Sequence, residues 1–424
     1  MNGPPAKEPA RRGGTAYDSP LHVAITGIGL ITPAGASAGE TWQRVVEGKH
    51  TAAPDEALHG MPVALTCRAA DFDGDAVLGR RTAWRLDRCT QLALAAGREA
   101  VADAGLAPED WDSTRVGTVL GTAFGGVATW EREYLKLHER GPERVSPLTV
   151  PMSLTNMVAG QLAMDRGARG PSLVTSTACA SGATAIGTAH QLLRSGGCDV
   201  VLAGGSESSL VPSVVAGFTK AGALSRQTED PARASRPFDA ERDGFVIGEA
   251  AAVLVLERAE HAAARGAHVY AYLSGYGASA DAGHETRPDP EGRGAEQAVR
   301  GALSDAGLAP ADITHVNAHG TSTPLNDASE ARMIQRVFPT GPAVTSVKGV
   351  TGHSLGAAGA VEAAIAALSL EHQTLPVTAG LTRLDPDMDL DVVAGVSRCG
   401  SVDAVLSESF GFGGQNAALI LTRA

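Results

Sequence analysis

Cys179 has the setting of a nucleophile. It stands in Val174-Thr-Ser-Thr-Ala-Cys-Ala-Ser-Gly182, where a short extended run passes through small residues into an Ala-rich stretch of helical period. A thiol at a helix start meets unpaired backbone N–H groups and the positive end of the helix dipole, and both favour the thiolate. The competing reading is a buried, inert cysteine. Two further motifs bear on the choice. His319 follows a strand in Val316-Asn-Ala-His-Gly-Thr-Ser-Thr-Pro-Leu-Asn-Asp327, and Lys348 and His353 lie in Ser346-Val-Lys-Gly-Val-Thr-Gly-His-Ser-Leu-Gly356. A single histidine is most often a satisfied core residue. One cysteine and two histidines, each at a strand-to-turn junction, make a set suited to covalent and acid–base chemistry. A fourth motif, Ser409-Phe-Gly-Phe-Gly-Gly-Gln-Asn416, sets Phe412 between glycines.

The elements that must position these residues alternate between strand and helix. Leu21 to Pro33 reads as a strand entering a glycine turn; its Gly27-Ile-Gly29 lacks the third glycine of a dinucleotide fingerprint. Thr90 to Ala104 reads as a long helix. Val116 to Gly126 reads as a buried strand ending in a glycine loop without the Lys-Ser/Thr of a P-loop, and Phe124 there is a candidate pocket wall. Thr129 to Pro151 reads as a polar, irregular excursion. After the Cys179 helix come strands over Asp199 to Gly205 and Ala250 to Leu256. The second half carries strands at Val269 to Gly277, His315 to Asn317, Ala343 to Val347 and Ala417 to Leu421, with helices at Ala295 to Ala306 and Ala357 to Leu370.

The two halves echo one another. Asp103-Ala-Gly-Leu-Ala-Pro108 recurs letter for letter as Asp305-Ala-Gly-Leu-Ala-Pro310. The strand–turn–helix around Cys179 is matched in form by the one around His353. Such self-similarity implies a duplicated βα unit, divided here as residues 21–267 and 268–424, with equivalent loop ends converging between the halves. Cys179 and His353 are then expected to face one site.

Composition sets the outer bounds. A chain of 424 residues, 43% hydrophobic, can bury a large core as two domains or one duplicated one. A net charge of -12 without a long basic run argues against nucleic-acid binding. The five cysteines are widely spaced with no CxxC pair, so neither a zinc site nor a disulfide framework is expected, and a reducing, cytoplasmic setting fits. No apolar run reaches the length of a membrane span. Residues 1–20 are polar and lack a secretory apolar core; they are read as a disordered leader.

With these motifs in this order, the sequence resembles the β-ketoacyl-ACP synthases of the thiolase superfamily, from about Val23 to Arg423. The resemblance implies an α/β thiolase fold, five-layered αβαβα with two duplicated halves. It implies that Cys179 accepts an acyl chain from the phosphopantetheine thioester of acyl carrier protein (ACP). His319 and His353 would hydrogen-bond the thioester oxygen of a malonyl unit as carbon dioxide leaves. Lys348, partnered by Glu362, would keep both histidines neutral by like-charge repulsion. The backbone N–H groups of Cys179 and Phe412 would form an oxyanion hole, with the Phe412 ring as a gate. Thr321 and Thr323 would bind the pantetheine arm, and Phe124 and Phe218 would line the acyl pocket.

No metal and no resident cofactor are implied. The partners implied are ACP and a second subunit, either another copy or a chain-length-factor-like paralogue. Several positions depart from the housekeeping pattern: Lys348-Gly-Val replaces Lys-Ser-Met, Glu408-Ser-Phe replaces Asn-Ser-Phe, Gly-Gly-Gln415 replaces Gly-Gly-Thr, and Phe124 replaces a smaller aliphatic residue. They point to a specialised type II polyketide or polyene pathway, with a fatty-acid elongating synthase as the alternative. An acyltransferase or thioesterase on the same fold ranks lower. So does a non-catalytic chain-length-factor-like subunit, which would lack Cys179.

Overall fold

The computed structural model describes residues 22–424, so the leader expected over residues 1–20 lies outside the described residues. The first half runs β1 (Val23–Ile31), α1 (Arg88–Asp103), β2 (Val116–Gly121), α2 (Val127–Arg140), α3 (Met157–Arg166), β3 (Ser172–Thr175), α4 (Ser181–Arg194), β4 (Val200–Glu207), α5 (Pro212–Ala221) and β5 (Ala250–Arg258). The second runs β6 (Ala271–Ala280), α6 (Arg293–Ala306), β7 (His315–Asn317), α7 (Pro324–Val337), β8 (Ala343–Thr345), α8 (Ala358–His372), β9 (Asp391–Val392), β10 (Ala404–Gly411) and β11 (Gln415–Thr422).

These strands make one eleven-stranded mixed sheet in the order β9-β8-β7-β10-β11-β6-β1-β5-β4-β2-β3. It divides at the β6–β1 seam, where Val23 to Ile25 pair with Leu273 to Ala271. The same pattern unfolds on either side. β5 is antiparallel to β1 and β4, and β2 is parallel to β4 and β3. β11 is antiparallel to β6 and β10, and β7 is parallel to β10 and β8. α1 and α3 cover the outer face of the first half-sheet, and α6 and α7 that of the second. α4 and α8 lie between, each touching strands of both halves, which completes the five layers.

Side-chain size explains the middle layer. α8 is buried at every position from Ala358 to Leu370. A helix buried all round has no face for water, and its alanines let it fit between the two half-sheets. Small residues also explain the glycine pairs. A Cβ on Gly27 or Gly29 would collide with the Ala100 and Ala96 carbonyls of α1; one on Gly275 or Gly277 would collide with Ala302 and Ala298 of α6. Gly27-Ile-Gly29 therefore serves close strand–helix packing. The six-residue echo is equally physical. Gly105 and Gly307 end α1 and α6 with φ of 62° and 67°. Asp103 accepts the Ile28 N–H at 2.8 Å, and Asp305 accepts the Tyr276 N–H at 3.0 Å.

One expectation needs correction, and one strand was not foreseen. The stretch from Thr129 to Pro151 is largely helical, holding α2 and the short helix Thr149–Ser153. α2 buries Thr129 and Glu133 and exposes Trp130, Tyr134 and Leu137, the reverse of the usual pattern. β10 is a full strand inside the second half-sheet, although Ser407, Glu408 and Ser409 interrupt its apolar run.

Candidate active site

Four strand ends deliver the expected residues to one cavity of about 430 Å³. The chain after β3 brings Cys179, the loop after β7 brings His319, Thr321 and Thr323, the turn after β8 brings His353, and the β10–β11 hairpin brings Phe412. The turns are conformationally tight. Ala178, Ser322 and Leu355 all have positive φ, of 50°, 69° and 47°. Such strain persists only where surrounding contacts impose it. At Ala178 the contacts are visible: the Ser181 hydroxyl accepts from the Thr177 N–H at 2.9 Å and donates to the Ala178 carbonyl at 2.6 Å.

Cys179 lies in the 3-10 turn Ala178–Ala180, just before α4. Unlike Cys67, Cys89 and Cys198, which are shut in the core, it opens on the cavity. The helix-start argument predicts a lowered thiol pKa, and here the structure differs. Burial pushes the thiol up to about 11, while the Lys348 charge and the neighbouring Phe412 N–H pull the other way. Gly411 lets the hairpin come this close to Cys179, because a Cβ there would press on the Thr177 carbonyl and sit 3.1 Å from the Cys179 nitrogen.

His319 and His353 meet edge to face with ring centroids 5.3 Å apart. Both are buried, and both are held well below the ordinary histidine range, first by burial and then by the Lys348 charge. Both are therefore neutral at pH 7. The Lys348 ammonium donates to the His319 carbonyl at 2.6 Å, lies 3.4 Å from His319 Nδ1 and pairs with Glu362. An ammonium has no acceptor to offer, so Nδ1 is the accepting nitrogen and Nε2 carries the His319 proton. Burial raises the Glu362 carboxyl to about 7 against the pull of Lys348. The group as a whole offers a thiol, two neutral imidazoles and a backbone N–H around one space, the equipment for forming a thioester and stabilising an oxyanion beside it.

The pocket residues divide. Thr321 and Thr323 line the cavity with their hydroxyls 2.9 Å apart, and Thr323 also caps α7 through the Asn326 N–H. Phe218 and Phe412 line it too, with centroids 6.2 Å apart. Phe124 does not. It lines a separate outer groove with Trp130, Val150 and Leu154, and meets Phe218 edge-on at 6.4 Å. Three neighbours were not singled out from the sequence. Phe245 packs on His353 at 5.1 Å and Phe410 on His319 at 5.7 Å. Glu330 accepts the backbone N–H groups of His319 and Gly320 at 2.6 and 2.8 Å. A buried acid seven residues after the helix cap Thr323 was the available signal for Glu330. Among the described residues no acidic, histidine or cysteine cluster has the form of a metal site, and no helix is long and apolar enough to cross a membrane.

Most of the chain is similar to known proteins. Residues 21–262 match the model of the beta-ketoacyl synthase N-terminal domain, and residues 270–382 that of the C-terminal domain. The 3-oxoacyl-[acyl-carrier-protein] synthase 2 of Synechocystis sp. is 42% identical over 404 residues, covering 94% of this chain and 97% of the relative. Among solved structures, the ishigamide ketosynthase/chain length factor superposes with a TM-score of 0.90 at 33% identity, over 96% of this chain and 100% of the other. A type II PKS acyl-carrier protein in complex with its ketosynthase bound to the hexaketide gives a TM-score of 0.89 at 32% identity, over 96% and 100% of the two chains.

Proposed function

The chain belongs to the β-ketoacyl synthase family, and on that footing we propose that it is a 3-oxoacyl-ACP synthase, condensing an acyl chain held on Cys179 with malonyl-ACP. The observation that carries this reading is the meeting of Cys179, His319 and His353 in one cavity, with the Lys348–Glu362 pair behind them.

In the first step the Cys179 sulfur attacks the acyl thioester. The acyl–sulfur bond to pantetheine breaks, and the thiol proton ends on the released pantetheine sulfur. A thiol raised to about 11 rests neutral at pH 7, so this proton moves during the attack rather than before it. In the second step malonyl-ACP loses carbon dioxide, and negative charge gathers on its thioester oxygen. Neutral His319 donates its Nε2 proton as a hydrogen bond to that oxygen, with His353 as the second donor. The carbanion attacks the acyl-Cys179 carbonyl. The N–H groups of Cys179 and Phe412 hold the resulting oxyanion, and the intermediate collapses to 3-oxoacyl-ACP and the Cys179 thiolate, which takes a proton from water to restore the thiol. A lost oxyanion donor costs about 10²- to 10³-fold in rate. Thr321 and Thr323 bind the pantetheine arm that carries both substrates, and no resident cofactor takes part.

The departures at Phe124, Glu408 and Gln415 support a specialised polyketide or polyene pathway. The 42% identity with a 3-oxoacyl-ACP synthase 2, against 33% with the ishigamide ketosynthase, supports fatty-acid elongation as the second reading. The exposed apolar side of α2, the outer groove and the edge strand β3 form the face for a second subunit, either another copy or a cysteine-less paralogue. Cysteine usage without a disulfide framework supports the cytoplasm.

Incubation with acyl-ACP and malonyl-ACP, with the partner subunit where one is needed, tests the reading. Carbon dioxide and 3-oxoacyl-ACP are expected, and hydrolysis alone would refute condensation. Cys179→Ser is expected to abolish acyl loading; an acyl adduct persisting in the intact-protein mass of that variant would exclude Cys179 as the nucleophile.

A further inference from the structure

Glu408 of β10 is fully buried, and no hydrogen-bond donor reaches either of its carboxylate oxygens. The polar group it meets is the carboxyl of Glu330 on α7. Glu330 is differently placed. It accepts from the His319 N–H, the Gly320 N–H and, at 3.1 Å, the Asn326 side-chain amide. Two carboxylates in contact within a dry site do not both ionise. Three donors favour the charged form of Glu330, whereas Glu408, with none, favours the neutral acid. The shared proton therefore sits on Glu408, whose O–H donates to Glu330.

Across β11, Glu408 faces Ala418. Leu406 and Phe410 on its own side of β10, Val316 of β7 and Ala298 of α6 belong to or pack on a single apolar cluster. α7 adds Asp327 one turn before Glu330, and Arg242 stands 3.5 Å from that carboxylate. From α8 the Glu362 carboxyl, paired with Lys348, also bears on Glu330.

We propose that Glu408, in its protonated form, is a positioning residue for the condensation: through Glu330 it fixes the His319–Gly320 corner and so the direction of the His319 imidazole. The role rests on the condensing function proposed above. The family pattern has asparagine at this position, which would donate an amide hydrogen that never titrates. In this chain the donor is an acid proton, which alkali removes. Ionised Glu408 would repel Glu330 and loosen its hold on the two N–H groups. The joint behind His319 is thus sensitive to pH where the amide version is not.

The test compares wild type with Glu408→Gln, Glu408→Asn and Glu408→Ala in malonyl-ACP decarboxylation across pH, alongside infrared difference spectra of the protonated-carboxyl band. Glu408→Gln and Glu408→Asn are expected to keep kcat within about twofold near neutrality and to flatten the alkaline fall expected of wild type, as a non-titrating donor should. Glu408→Ala is expected to lower kcat by about tenfold to 100-fold with KM within about twofold, the signature of a misdirected group. Wild type is expected to show a buried protonated-carboxyl band that alkali removes and that Glu408→Gln lacks. An alkaline limb identical in wild type and both amide variants, or the absence of that band, would overturn the proposal. A wild type that releases no carbon dioxide would refute the condensing function and the positioning role with it, while the infrared difference would still report whether Glu408 holds a proton.

Discussion

On the proposed function, the phenyl ring of Phe124 would limit how far an acyl chain on Cys179 extends. Phe218 walls the catalytic cavity, Phe124 abuts it edge-on, and beyond lies an apolar outer groove of about 230 Å³. Phe124→Ala removes the ring between the two spaces. Two further methylenes buried there, at about 0.8 kcal/mol each, correspond to roughly a tenfold shift in preference toward the longer primer. The mass distribution of products from a panel of primers measures this; an unchanged distribution would remove Phe124 from the acyl path. The same scale explains why the histidines are useful. With burial and Lys348 holding them neutral, each would, on the proposed mechanism, donate a hydrogen bond to a forming enolate without first losing a proton.

At the scale of elements, four glycines set how near two helices lie to the sheet. The atoms a new Cβ would strike at Gly277 are the Ala298 carbonyl and the Ala302 nitrogen of α6, which are backbone and cannot rotate away. Gly277→Val is expected to destabilise by about 3 kcal/mol or more. Gly301, on the exposed side of α6, has room and helical backbone, so Gly301→Ala is expected to stabilise by about 0.5–1 kcal/mol. Urea midpoints of the two variants should move in opposite directions. Elements also show what was legible in the sequence. β7 and α8 were plain, because His315-Val-Asn317 is bounded by clear turn signals and α8 is a run of alanines. The candidate site was plain because Cys179, His319 and His353 each sit at a strand end among small residues. α2 was missed because its burial is inverted, with Glu133 held inside by Lys136 and the Ser146 N–H while Trp130 faces out. β10 and Glu330 were missed because a buried acid breaks the apolar pattern, and only the folded partner explains why it is there.

The whole molecule is clamped between its halves. His190 of α4 is buried 3.8 Å from Asp305 of α6, and Arg194 reaches the same carboxylate at 2.5 Å. Burial lowers His190 to about 4, with Asp305 opposing and Arg194 assisting. An unfolded histidine titrates near 6.5, so below that pH the unfolded chain takes up a proton that the folded one refuses. The sign is therefore destabilising on acidification, by up to about 1.4 kcal/mol per pH unit between about 6.5 and 4, with no effect above 6.5. His190→Gln should lose less stability than wild type between pH 7 and 5. Parallel denaturant midpoints for the two proteins would sink this assignment.

The strand order has one more consequence, for the sequence of events during synthesis. β10 and β11, the last strands in chain order, fill the place between β7 and β6. The turn between them also sets Phe412 beside Cys179, and β10 carries the Glu408 that backs Glu330. A nascent chain halted before residue 404 would possess the thiol, both histidines and the lysine, yet leave a gap in the middle of its second half-sheet. Long-range pairings of this kind form slowly. Translation therefore delivers the reactive groups first and the strands that hold them together last, so fold completion and catalytic competence coincide in time.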